Sequence, residues 1–402
     1  MRKKVALLLT ISLFSVLFLM AVTITNADET TGLTGDTIKV GVTSDVTGPT
    51  SQIQTPLHTG IKTYLQHIND QGGIYGRKFK VIVEDGGYSV ARDVANFKKL
   101  VYKDQIFMLF EIGSTGSGVA LVSQITKEKL PTLMTSTTDF FIRPTRPYHF
   151  IEGATYEDEI KVLFNYIIVN VLKVKEPRIA LVRADTEHGK VGSRTFREQL
   201  KAYGLKPAGE EVVAPGAIEA SSQVLTLMRA KATHVILHTT EGNAATFFRE
   251  AKRFKYSPMS LGTKYACAED AIRIVGDAAE NFVATNSFSS WYDDSPGMLK
   301  MREISLKYHG KKGKYMLYRH YTQGWCQAMI VVEGLKKAGK DLTRSGLVKG
   351  LESIKNLDMG GLMANATYSP TKHQGTEYCR IYKADVKNIR FIPFTDYIKA
   401  AK

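Results

Sequence analysis

The stretch Ile38–Val101 reads "IKVGVTSDVTGPTSQIQTPLHTGIKTYLQHINDQGGIYGRKFKVIVEDGGYSVARDVANFKKLV", and its reading decides the fold class. "TIKVGVTSD" opens with a short strand, Thr37–Val42, that runs into a polar loop. Leu57, Ile61, Tyr64, Leu65 and Ile68 then recur at helical spacing until Gln71-Gly72-Gly73 stops them. "KFKVIVED" is a second strand and "SVARDVANFKKLVYKD" a second helix. Strands that alternate with helices pair in parallel through right-handed crossovers, so the segment predicts a doubly wound α/β sheet.

Working outward, the same alternation continues. "IFMLF" is a third strand, a loop rich in glycine and hydroxyls follows, and "VALVSQITKEK" is a third helix. Leu130-Pro131 leads into the short strand "TLM". The pattern restarts near Tyr156, with "YEDEIKVLFNYIIVNVL" as helix, "RIALV" as strand and "KVGSRTFREQLKAYG" as helix. "HVILH" and "NAATFFREAKRF" add another strand and helix. Two doubly wound, Rossmann-like units therefore stand in tandem. Three helical stretches come later, Pro296–His309, Tyr321–Ala338 and Thr343–Leu351. "ATYSP" and "EYCRIYKA" are expected to form a final strand pair. The second unit ends before the late helices, so the chain is expected to cross back to the first.

The amino terminus is a different kind of sequence. Arg2, Lys3 and Lys4 precede an apolar run from Val5 to Val22, and Thr25-Asn26-Ala27 supplies small residues before Asp28. This is the layout of a secretory signal peptide over residues 1–27, with a retained membrane anchor as the alternative. No cysteine lies near the cleavage site, which argues against lipid anchoring. About 370 residues remain, too many for one core at ~100–200 residues per domain. The formal net charge is +15, or +12 without the three leader cations. The cations are scattered, which suits a solvated surface and an attraction for anionic solutes. A nucleic-acid reader is disfavoured by the export signal and by the lack of a basic stripe with interleaved aromatics. Cys267, Cys326 and Cys379 cannot all pair, and their spacing fits no zinc motif. One disulfide with unassigned partners is an option in an oxidising compartment, and buried free thiols are the simpler reading. Nine histidines show no metal-ligand spacing, so neither metal nor cofactor is expected.

The loop Gly113–Gly118, Gly-Ser-Thr-Gly-Ser-Gly, is the first candidate site. Neither Ser114 nor Ser117 has the Gly-x-Ser-x-Gly flanks of a nucleophile elbow. Val119-Ala120 stands where a P-loop needs Lys-Ser/Thr, and Leu121 stands where a dinucleotide loop needs glycine. What remains is a set of hydroxyls at a helix start, whose unpaired N–H groups and dipole favour a carboxylate or phosphate. A simple capped turn is the alternative.

The quoted stretch also resembles the amino-terminal lobe of periplasmic solute-binding proteins of the branched-chain amino acid type (type I). The resemblance is carried by Thr47-Gly48-Pro49, by Asn69 before Gly72-Gly73-Ile74 and Gly76, by Asp85 ending its strand, and by Ala91 and Ala95. It covers essentially the whole chain after the leader and weakens after about residue 350. It implies two α/β lobes joined by three crossing strands, a ligand in the cleft, hinge closure and delivery to a membrane permease, with no reaction catalysed. The crossings fall near residues 151–156, 283–288 and 358–367. The amino-terminal lobe then comprises 36–153 with 286–360, and the carboxy-terminal lobe 154–285 with 361–402. A monomer in the periplasm, serving an ATP-driven importer, is expected.

The resemblance also implies site residues. The ligand's carboxylate would be held by Ser114 and Thr115, and by Thr137 and Thr138 in "MTSTTDF". Ile53 stands where a covering aromatic ring is usual. His188, in Asp185-Thr186-Glu187-His188-Gly189, is the contact expected from the second lobe. Thr239 or Thr240, with Glu241 next, replaces a frequent tyrosine. Lys264 stands where a glutamate often pairs with an amino acid's ammonium, and Tyr265 could serve as a stacking wall. The carboxylate half of the site is thus retained while the ammonium half changes sign, which points to a carboxylate that needs no amine. Asp185 or Glu241 could restore an ammonium partner. Two other readings remain from the residues, an envelope sensor or enzyme-regulating subunit on the same fold, and a secreted hydrolase using Ser114 with His188 and Asp185.

Overall fold

A computed structural model describes residues 29–110 and 113–400; the leader read at residues 1–27 lies outside the described residues. The first sheet holds β1 (Thr37–Ser44), β2 (Lys78–Asp85), β3 (Met108–Phe110), β4 (Thr132–Met134) and β5 (His149–Ile151), in the order β2-β1-β3-β4-β5. All its pairs are parallel, with Thr37 opposite Lys78 and Val40 opposite Met108. The second sheet holds β6 (Ile179–Ala184), β7 (Gly209–Val213), β8 (His234–His238), β9 (Met259–Gly262), β10 (Phe282–Asn286), β11 (Arg380–Asp385) and β12 (Arg390–Pro393). Its order is β12-β11-β10-β9-β8-β6-β7; it is parallel from β7 to β10 and closes with antiparallel β11 and β12.

The apolar strands follow from burial on both faces. In β6, Ala180 and Val182 join one core cluster while Ile179 and Leu181 join another. β8 does the same, with Val235 and Leu237 on one side and Ile236 on the other. The core against the first sheet draws on two separate stretches, Ile38–Phe150 and Phe288–Tyr368. The chain therefore passes between the sheets three times: after β5, after β10 and before β11. At the heart of the first lobe the helix Ser51–Asp70 packs on the helix Arg319–Ala338. Gly60 and Gly324 make that approach close, since a Cβ on either would collide with the carbonyl of Tyr321 or Leu57.

Two expectations change. The first helix begins at Ser51 rather than Leu57, with Pro56 inside it. Asp45 accepts the Thr50 N–H and hydroxyl, both at 2.7 Å, and so fixes the helix entry ahead of the apolar repeat. The final strand pair is Arg380–Asp385 with Arg390–Pro393, whereas Ala366 makes only an isolated bridge to Leu357. Asn388 bonds back to Asp385 and closes that hairpin. Cys267, Cys326 and Cys379 are free and buried.

Candidate ligand cleft between the lobes

In an open parallel sheet the loops at the strands' carboxyl ends diverge where the strand order reverses, and a crevice opens there. The first sheet reverses between β1 and β3, and the second between β6 and β8. The loops after β1, β3 and β4 face those after β6, β8 and β9 across one cleft with about 410 Å³ of empty space, part of it open to solvent. The first lobe lines it with Thr50, Ile53, Gln54, Tyr88, Gly113, Ser114, Thr115, Thr135 and Ser136. Tyr156, His188, Thr240 and Tyr265 complete it. Among the described lining residues there is no Asp, Glu, Lys or Arg.

Local hydrogen bonds hold each loop in place. The Gln54 side chain accepts from Asp45 N at 2.6 Å and donates to the Gly113 carbonyl, tying the loops after β1 and β3 together. Ser114 caps the helix Thr115–Lys127, accepting from Ser117 N at 3.0 Å. The Ser117 hydroxyl in turn donates to Asp93, a buried carboxyl whose pKa is raised by burial. The Thr115 hydroxyl reaches Ser136 at 3.2 Å, and the Tyr156 phenol, whose pKa burial raises, lines the same part of the cleft. In the second lobe Thr186 caps the helix Glu187–Ala202 and Thr240 caps Glu241–Arg253. Such caps satisfy backbone donors at helix starts and fix the loops that lead into them.

His188 is packed by rings. It stacks on His238 at 3.8 Å between centroids and meets Tyr156 edge-on at 4.7 Å. Burial holds His188 well below the usual imidazole range and pushes His238 down to about 3, so both are neutral. Ile53, Tyr156, Val191 and Tyr265 form a small apolar cluster that spans the lobes. A further bond crosses the cleft, from the Tyr265 hydroxyl to the Thr135 carbonyl at 3.1 Å.

Of the residues expected from sequence, Ile53, Ser114, Thr115, His188, Thr240 and Tyr265 are brought together on the lining. Thr137, Thr138 and Lys264 stand behind it. Thr138 caps the short helix Asp139–Ile142 and donates to Glu157 at 2.8 Å. Thr137 accepts a hydrogen bond from the Lys264 ammonium. Lys264 is only 2% exposed, and its backbone N–H donates to Glu159 at 2.9 Å. The hydroxyls after β4 that reach the cleft are Thr135 and Ser136, the first two of "TSTT" and two residues ahead of the pair expected. Glu241 is buried with both carboxyl oxygens unpartnered, and burial pushes its pKa up to about 8. Gln54, Tyr88 and Tyr156 were not foreseen. Tyr88 follows Gly86-Gly87 in a left-handed conformation at φ 59°, the kind of strained position that clusters at sites.

A family model described as "Periplasmic binding protein" matches residues 37–388. The leucine-, isoleucine-, valine-, threonine- and alanine-binding protein of Pseudomonas aeruginosa is 20% identical over 361 residues, covering 89% of this chain and 90% of that protein. The Leu/Ile/Val-binding protein of Escherichia coli is 24% identical over 261 residues, covering 64% and 69% respectively. Among solved structures, a branched chain amino acid ABC transporter protein from Thermus thermophilus with bound valine superposes with a TM-score of 0.85 at 24% identity, covering 92% of this chain and 98% of that one. A fatty acid ABC transporter substrate-binding protein from Thermomonospora curvata superposes with a TM-score of 0.82 at 22% identity, covering 92% and 94%.

Proposed function

The chain belongs to the periplasmic binding protein family, and on that premise we propose that it is the extracytoplasmic solute receptor of an ATP-driven importer. Its ligand is a small carboxylate-bearing solute, and its membrane partner is the importer's permease. The observation that carries this reading is a cleft of hydroxyls and rings, free of charged side chains among the described residues, set between the switch points of two sheets. Thr115 and Gly116 stand in the first turn of a helix, where backbone N–H groups lack intrahelical partners and the dipole favours an anion. The relatives named for amino acids and the neighbour named for a fatty acid share a carboxylate. Thr115 and Ser136 are the anchors in this reading, and Ser114 fixes the loop through its bonds to Ser117. Ile53, His188 and Tyr265 are the walls, with Thr240 at the far edge.

A receptor is favoured over a hydrolase by where the Ser114 hydroxyl goes. It bonds Ser117, which bonds Asp93, rather than a histidine. The crossings near 151–156, 283–288 and 358–367 act as the hinge in this reading, dividing 36–153 with 286–360 from 154–285 with 361–402. The receptor works as a monomer outside the cytoplasmic membrane. A thermal-shift screen of small acids and amino acids identifies the solute, because native-state binding stabilises by about 2.7 kcal/mol at a hundredfold excess over Kd. X-ray scattering should then show a more compact particle when that solute is bound. A saturated protein with unchanged shape would end the hinged-receptor reading.

A further inference from the structure

Lys264 makes an unusual set of contacts for a lysine. Its ammonium donates to the Thr137 hydroxyl of the first lobe. It lies 5.0 Å from the Tyr156 ring centre and 5.2 Å from that of Tyr265, two residues that also line the cleft. Behind it are the buried carboxyls of Glu159 and Glu152. Glu159 accepts from the Lys264 backbone, and its other oxygen is buried without a hydrogen-bond partner. Glu152 is held by Gln323 at 2.7 Å and Gln327 at 3.3 Å from the first lobe's core helix. Two carboxyls and two ring faces are the components of a cation site. Here the chain fills that site with its own ammonium.

Burial pulls the Lys264 ammonium down and pushes the Glu159 carboxyl up to about 7, and each group opposes the other's loss of charge. Lys264 already takes up the ion-pairing capacity of Glu159, and burial raises the Glu152 carboxyl as well. A ligand amine against the same two tyrosines would lie close to Lys264, with no carboxylate on the described lining to compensate. Like charges in a desolvated setting repel strongly, whereas a carboxylate there gains from the same lysine. The apolar cluster of Ile53, Tyr156, Val191 and Tyr265 suits an uncharged body.

We propose that the ligand is a monocarboxylate with a branched aliphatic or aromatic body and no ammonium group, because Lys264 already occupies the cation site that an amine would need. This rests on the receptor reading above and narrows its ligand class. The test is calorimetry on the full chain after its leader, with pairs that differ in the amine: leucine against isocaproate, and phenylalanine against hydrocinnamate. Hydroxyisocaproate, with a neutral hydroxyl in the amine's place, separates charge from size and should bind with the acids. The acid of at least one pair should bind at least about tenfold tighter than its amino acid, and Lys264→Met should narrow that ratio about tenfold. Lys264→Arg, which keeps the charge, should retain the preference, and if Lys264→Met does not fold the wild-type pairs still decide. Tighter binding of the amino acids by wild-type protein would overturn the inference and leave the receptor reading standing. An unchanged ratio in a folded Lys264→Met protein would remove Lys264 from the explanation and overturn it as well. Binding of neither class would overturn the small-carboxylate receptor itself.

Discussion

Ser114, Thr115 and Thr137 are similar hydroxyl residues with three different tasks. Ser114 caps a helix, so Ser114→Ala should cost about 1 kcal/mol in chemical denaturation through the lost backbone bond. Thr137→Val takes the hydroxyl acceptor from a buried ammonium and should destabilise by about 1–3 kcal/mol in the same measurement. Thr115→Val keeps the shape but removes a cleft hydroxyl; it should weaken solute binding roughly tenfold by calorimetry, with stability changed by no more than ~1 kcal/mol. The sequence shows that hydroxyls cluster after the third and fourth strands. It does not show which of four consecutive hydroxyls in "TSTT" face the cleft, because they lie in a loop beyond β4, where no strand or helix period fixes the direction of each side chain. Tyr156 was invisible for a related reason. It opens a helix in the second unit, and only the pairing of the two lobes carries it to the cleft.

Elements were legible where their pattern was long. β1, β6 and β8 are apolar runs between turn signals, and burial on both faces is the cause; β2, at the sheet edge, is read from its alternating Phe79, Val81 and Val83. β7, Gly209–Val213, escaped notice because it is an edge strand carrying Glu210, which ion-pairs with Arg183 at 3.0 Å and Arg197 at 2.8 Å. β5, His149–Ile151, is too short for its period to register. The least legible feature is the crossing of Ser51–Asp70 with Arg319–Ala338, since the two helices are far apart in the chain. Glycine at 60 and 324 is what permits their contact. Gly324→Val should force them apart, costing about 1–3 kcal/mol from overpacking. A lowered Tm with preserved far-UV circular dichroism is the expected signature, and an unchanged Tm would mean that the crossing has slack.

Over the whole molecule, buried titratable groups of two kinds set opposite limits on stability. Glu157 and Glu159 are pushed up to about 7 and Glu241 to about 8, all chiefly by burial. Their folded pKa values lie above the ordinary 4.5, so their contribution is complete below that pH and is lost as pH rises toward 8. His58 is held down to about 4, and His149, His238 and His320 to about 3, again by burial. Their contribution is complete above 6.5 and is lost as pH falls toward those values. Thermal melts across pH should therefore peak near 6.5, and Glu241→Gln should raise the alkaline limb by about 1 kcal/mol or more while leaving pH 4 unchanged. A flat profile would mean that these groups meet water in the folded state. The bonds that Lys264 and Tyr265 make to Thr137 and Thr135 also bear on the speed of capture. While they hold, the lobes are tied across the part-open cleft, so a solute that needs the tyrosine faces freed must wait for both to part. In stopped-flow mixing the observed association rate should thus stop climbing with concentration and level off at the frequency with which the lobes separate, the same ceiling for every solute that binds.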